Sequence, residues 1–152
     1  MSFKMSTGLV NAIVGETGFK GAMQSGVAYI YGGAQPATAD AAPTGPLLAI
    51  LTKDGLPFTA GSPTNGLTYT DPVNASVSKS TDTWKFTPVA EGTAGWIRFM
   101  GNAADNGGVS TTLPRFDGSV ASAGGEVKLS TQNIVMGQPG FIQELLITFP
   151  RQ

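Results

Sequence analysis

Three observations predict an all-β domain, a sandwich, jelly roll or related barrel with one or two short helices at its start. Glycine (21 residues) and proline (10) are abundant, and only 12% of the 152 residues are charged. That composition is poor in helix formers and rich in turn formers. From Val27 onward the apolar residues fall in short runs or strict alternation, as in Leu67-Thr-Tyr-Thr, Ala75-Ser-Val-Ser and Trp84-Lys-Phe-Thr. Such alternation places one face of a strand on a core and the other in water.

The helices come first. Ser6 or Thr7 suits an N-cap, and Leu9, Val10, Ile13 and Val14 follow at helical spacing until Gly15 stops the run. Thr17 is placed to cap a second helix whose apolar face is Phe19, Ala22 and Met23. Residues 1–24 therefore read as a helical arm and residues 25–152 as the β-sandwich domain.

The strands then follow in order. Val27–Tyr31 and Leu47–Leu51 are continuously apolar, as buried strands are, and Lys53-Asp-Gly turns the chain. A loop over 61–66, punctuated by Ser62-Pro63 and Asn65-Gly66, precedes the alternating strands. Gly95–Met100 is apolar on both faces except at Arg98, which marks a central strand whose arginine needs a partner, with Glu144 the candidate. Strands over 113–120 and 126–130 are separated by a turn over 121–125. Phe141–Phe149 reads as the longest strand, with Phe141, Leu145, Ile147 and Phe149 facing the core and Pro150 ending it. The total is about eight to ten short strands at roughly 8–15-residue spacing.

Composition also excludes function classes. With neither histidine nor cysteine, the commonest general bases, thiolate nucleophiles and metal ligands are missing, and no cofactor is implied. Nine basic and ten acidic residues are scattered singly for a net charge of −1. They form no basic stripe for a nucleic-acid backbone to follow. No apolar run approaches a membrane span, and the run at 9–14 is short for a signal peptide, so a soluble, unprocessed chain without membrane partners is expected.

Look-alikes of catalytic motifs have simpler readings. Ser76-Val-Ser-Lys79 reads as the end of a polar-faced strand. Of the carboxylates a glycosidase could use (Asp105, Asp117, Glu126 and Glu144), Asp105 sits in an Asn/Asp/Gly loop that serves turn geometry and Asp117-Gly118 reads as a tight hairpin turn. Gly101–Gly108 lacks the Lys-Ser/Thr of a phosphate loop. The aromatic set Tyr29, Tyr31, Trp84 and Trp96 fits core packing, although exposed members would stack on sugars as in a carbohydrate-binding module.

Residues 34–46 form a loop of small side chains with almost nothing able to do acid, base or nucleophile work. Together with Thr7-Gly8-Leu9, Phe19 and Tyr31-Gly32-Gly33, the run Gln35-Pro-Ala-Thr-Ala-Asp-Ala-Ala-Pro-Thr-Gly45 resembles the small virion proteins of tailed bacteriophages. That resemblance implies a capsid cement or decoration protein with a jelly-roll-like antiparallel β-sandwich. It also implies a location on the outside of the phage head after synthesis in the host bacterial cytoplasm. The partners expected from it are the major capsid protein and further copies of the chain, as a homodimer or a trimer. Leu9, Ile13, Phe19, Gln35, Pro36, Asp40 and Arg98 are the expected interface residues, and loss of residues 1–24 is expected to abolish shell binding while leaving the sandwich folded. A tail or baseplate component of the same particle is the alternative, and a carbohydrate-binding module a second.

Overall fold

Ser6 opens the first helix by a local rule of side-chain chemistry. Its Oγ accepts a bond of 3.1 Å from the backbone N–H of Leu9 and donates to the carbonyl of Leu113. In the computed structural model, which describes residues 3–121 and 126–150, helix α1 spans Thr7–Val14 and α2 spans Gly18–Met23. Thr17, expected to cap α2, has helical dihedrals and makes no side-chain capping bond. The turn expected over 121–125 lies outside the described residues from 122 on.

The strands are β1 (Lys4–Met5), β2 (Val27–Gly32), β3 (Leu47–Lys53), β4 (Ser76–Ser78), β5 (Trp84–Pro88) and β6 (Gly92–Met100). They continue as β7 (Arg115–Ala121), β8 (Val127–Leu129), β9 (Asn133–Ile134), β10 (Gly140–Glu144) and β11 (Leu146–Thr148). Pairing runs β7-β8-β10-β5-β3-β2-β6 and returns to β7, so seven strands close on themselves. All of these neighbours are antiparallel except β7 and β8.

The all-β expectation therefore holds, but the strands form a closed barrel rather than a clear jelly-roll sandwich. The physical cause is β6. Its nine residues pair with β2 along one edge and with β7 along the other, so the sheet has no break at which to split into two layers. A β-carbon at Gly95 would lie 2.1 Å from the Gly33 carbonyl oxygen, so only glycine lets the chain leaving β2 run so close to β6.

The barrel interior is filled by Ile30, Leu51, Trp84, Phe86, Ile97, Phe99 and Phe116, all fully buried. Phe99 stacks on Phe116 at 4.5 Å between centroids, and Phe116 meets Phe19 of α2 at 5.5 Å. Leu9, Phe19 and Met23 join the same cluster. The N-terminal segment is thus built into the barrel core, and β1 pairs with β7.

Two strand expectations fail for identifiable reasons. Leu67–Thr70 forms only isolated bridges, Gly26 to Leu67 and Tyr69 to Lys79. Phe141–Phe149 breaks at Leu145 into β10 and β11, which join different sheets. A register shift between Ile142 and Glu144 moves the buried phase, so Ile142 is inside and Phe141 is exposed, while Leu145 and Ile147 stay buried as expected.

The turn before β4 carries local strain. Val73 and Ser76 exchange backbone bonds of 2.9 Å across Asn74 and Ala75, whose φ values are 51° and 58°. This is the two-residue hairpin whose second position favours glycine. Ala75→Gly is expected to raise stability by about 0.5–1 kcal/mol, read by urea unfolding. An unchanged or lower midpoint would show that the turn is not strained.

Candidate contact surface

Beneath the 33–46 loop lies a second, polar core on the outside of the barrel. Arg98 of β6 and Asp117 of β7 stand opposite each other in the ladder. Arg98 Nε and Nη2 donate to the two Asp117 oxygens at 2.8 Å each, and both side chains are fully buried. The remaining guanidinium nitrogen, Nη1, donates to the Ala41 carbonyl at 2.8 Å. Arg115 does the same one step along. It grips Asp105 with two bonds of 2.6 Å, donates to Gly108 O at 2.8 Å and reaches Ala39 O at 3.5 Å.

Further bonds fix the rest of the loop. Lys4 Nζ donates to Pro36 O at 2.7 Å, Trp96 Nε1 to Thr44 O at 3.3 Å, and Thr44 Oγ1 to Ala34 O. Asp40 accepts from the backbone N–H and the hydroxyl of Thr7 at 2.8 and 2.6 Å, while its carbonyl accepts from Ser110 N. A carboxylate at the first residue of α1 also complements the helix dipole. Asp40→Ala is expected to cost about 1–2 kcal/mol, measured by thermal melting, through loss of that cap. A change within error would place the strength of the strap in the arginines alone.

Electrostatics under the loop follow from burial. Desolvation pushes the Asp117 carboxyl above the ordinary aspartate value, against the opposing pull of Arg98 and, more weakly, Arg115 and Lys4. Tyr31, stacked on Trp96 at 4.5 Å, is raised to about 12, mainly by the same burial. These groups are structural: each charged atom is spent on a partner inside the chain.

The expected interface residues are accordingly redistributed. Arg98 and Leu9 are fully buried within the chain, and Phe19, buried in the core, also lines a cavity of about 320 Å³ between the two helices and β4. Pro36 is buried, Asp40 is half-buried and bonded to Thr7, and Gln35 is half-buried with an Nε2 that is enclosed and unpartnered. Ile13 is half-buried and lines the same cavity as Phe19. The partner of Arg98 is Asp117 rather than Glu144, which is exposed and lies 3.9 Å from Lys128. Asp117-Gly118 sits within β7 and is not a hairpin turn.

What the loops leave open is an apolar groove on the opposite flank of β2. Val27, Tyr29, Ile50, Thr87 and Val89 form its floor, and Leu56, Pro57 and Phe58 form its wall, around a cavity of about 320 Å³. A second hollow of about 260 Å³ adjoins it and shares Val27, Tyr29 and Phe58. Among the described residues no charged side chain lines the larger of these two hollows, and Leu56 and Val89 are 47% and 45% exposed. The continuous apolar runs of β2 and β3 carried this signal, because strands apolar on both faces need cover on both. The inner faces are covered by the barrel core. The outer face at Tyr29 and Ile50 meets the 56–58 segment and is otherwise left partly open.

No family model matches the chain, and no curated protein or solved structure shows significant similarity to it. The site must therefore be read from its own chemistry. Among the described residues, no group of three or more His, Cys, Asp or Glu side chains is placed to hold a metal ion. Both tryptophans are fully buried, so neither presents a ring face to a sugar, which leaves Tyr29 as the half-exposed aromatic of the original set. The arrangement can bind by shape and apolar burial, and its strapped loop holds a neutral surface of small side chains in one conformation.

Proposed function

We propose that this chain is a non-enzymatic structural protein of a tailed-phage particle, a cement protein that binds the outside of the assembled head and clamps neighbouring major capsid subunits. The observation that carries the reading is the apolar groove at Tyr29, Ile50, Leu56, Phe58 and Val89, on a barrel whose 33–46 loop is tied down by the arginines of two buried arginine–carboxylate pairs. Open apolar hollows on a monomer mark surfaces that meet another macromolecule. A surface ordered in advance loses little entropy on binding. The resemblance of residues 7–45 to phage virion proteins supplies the identity of that partner.

Cementing requires no reaction. A protein that binds the assembled lattice but not loose subunits shifts assembly toward the lattice by mass action. Symmetry-related copies then multiply modest contacts through avidity. A place in the tail or baseplate would use the same chemistry on a different lattice, and shell binding separates the two.

The double variant Leu56→Asp, Val89→Asp tests the groove. Both positions are substantially exposed, so the melting temperature should stay within a few degrees of wild type. Affinity for emptied shells should fall by roughly 100-fold, since burying an aspartate in an apolar contact without a partner is costly. Full decoration by the variant would remove the groove from the contact.

A further inference from the structure

We propose that Asn106 is a site of spontaneous covalent modification: in the folded chain it loses its side-chain amide to become aspartate or isoaspartate, and the change loosens the 33–46 loop. Among the asparagines, only Asn65 and Asn106 precede a glycine. Glycine has no β-carbon to screen its backbone nitrogen, so these are the places where that nitrogen closes most readily on the preceding amide. The structure treats the two oppositely. Asn65 is half-buried, its Nδ2 donates to Pro57 O at 2.8 Å, and its carbonyl accepts from Lys53 N at 3.1 Å. Gly66 is buried so tightly that a β-carbon there would lie 2.3 Å from Ser25 O. The Asn65 amide is therefore tied, and its neighbour has no room to shift toward it.

Asn106 is exposed, in the loop between β6 and β7. Its Oδ1 accepts from Gly108 N at 2.9 Å, which folds the side chain back over the Gly107 peptide and polarises the amide carbon. Gly107 N–H donates to Asp105 Oδ1 at 2.8 Å, so a proton acceptor stands where the attacking nitrogen sheds its proton. In the step, Gly107 N bonds to Asn106 Cγ and the Cγ–Nδ2 bond breaks. The proton from Gly107 N passes by way of the Asp105 carboxylate to the departing nitrogen, which leaves as ammonia. Water then opens the cyclic imide at either carbonyl, giving aspartate or isoaspartate. Isoaspartate routes the main chain through Cβ and Cγ, and so lengthens it where the 33–46 loop is held. There Arg115 donates to Gly108 O at 2.8 Å and Ser110 N donates to Asp40 O at 2.9 Å. A β-carbon at Gly107 would already touch the Pro43 ring at 3.7 Å. The proposal is independent of shell binding.

The test is to age the full chain in mildly alkaline buffer, with and without urea, and to locate the conversion by peptide mass spectrometry. In urea Asn65 and Asn106 should convert at similar rates. In the folded chain Asn65 should convert roughly tenfold more slowly than Asn106, because its amide must first give up a hydrogen bond. Asn106→Ser keeps an oxygen that accepts from Gly108 N, and it should abolish the acidic species seen by isoelectric focusing without changing the melting temperature. The acidic form, separated by ion exchange, should show faster amide hydrogen exchange across 33–46 than fresh protein. Equal rates at Asn65 and Asn106 in the folded chain would overturn the proposal. So would an Asn106 that converts only in urea, or an acidic form whose loop exchanges no faster.

Discussion

Asp117→Ala is expected to lower the melting temperature by roughly 6–20 °C. Its carboxylate is fully buried and takes two hydrogen bonds from Arg98. Removing it leaves a guanidinium in the barrel wall with only the Ala41 carbonyl as a partner. Breaking one side of a buried pair costs about 3–5 kcal/mol, which is a large share of a small domain's total stability. For a chain of this length each kcal/mol shifts the midpoint by about 2–4 °C or slightly more. Taking both charges of a buried pair out of water offsets much of their mutual attraction. The pair therefore fixes the loop's position more than it adds net stability. The double variant Arg98→Met, Asp117→Leu should accordingly recover most of the lost stability, while the 33–46 loop gains amide hydrogen exchange. A double variant as unstable as the single one would show that the pair is net stabilising.

Removal of residues 1–24 is expected to prevent folding, contrary to the expectation from sequence that the sandwich would survive it. Leu9, Phe19 and Met23 are buried in the same cluster as Phe99 and Phe116. Truncating any one large buried side chain costs about 2–5 kcal/mol. The deletion removes all three, together with the pairing of β1 on β7 and the bonds that Asp40 accepts from Thr7. That sum matches or exceeds the roughly 5–15 kcal/mol available to a domain. Near-ultraviolet circular dichroism of the truncated chain should show no fixed tryptophan environment. A native-like spectrum with cooperative melting would restore the helices to the status of a detachable arm.

That contrast shows how much of the molecule was legible in its residues. The two helices, and most strands to within a few residues, follow from spacing and turn chemistry, which act locally. The closure of the barrel does not. It depends on β6 pairing along both edges, and nothing in Gly95–Met100 distinguishes a strand with two partners in one layer from one at a barrel seam. The break at Leu145 is hidden for a similar reason, since Phe141–Phe149 is apolar enough to satisfy either phase.

The site was legible in one respect and misread in another. Arg98 stands out because an arginine in an apolar strand must be paired, but its partner came from a register that composition cannot supply. Helical spacing singled out Leu9 and Phe19, and that spacing marks a buried face as readily as a docking face. The groove was missed because Tyr29 and Ile50 were counted with the core, although their strands have two faces to cover.

The most direct test of the central claim is co-sedimentation of the purified full-length chain with emptied phage shells, counting bound copies per shell. Saturable binding is expected at a multiple of the lattice's symmetry-related sites, reduced by Leu56→Asp, Val89→Asp. Binding that does not saturate, or no binding to shells by a correctly folded chain, would contradict it.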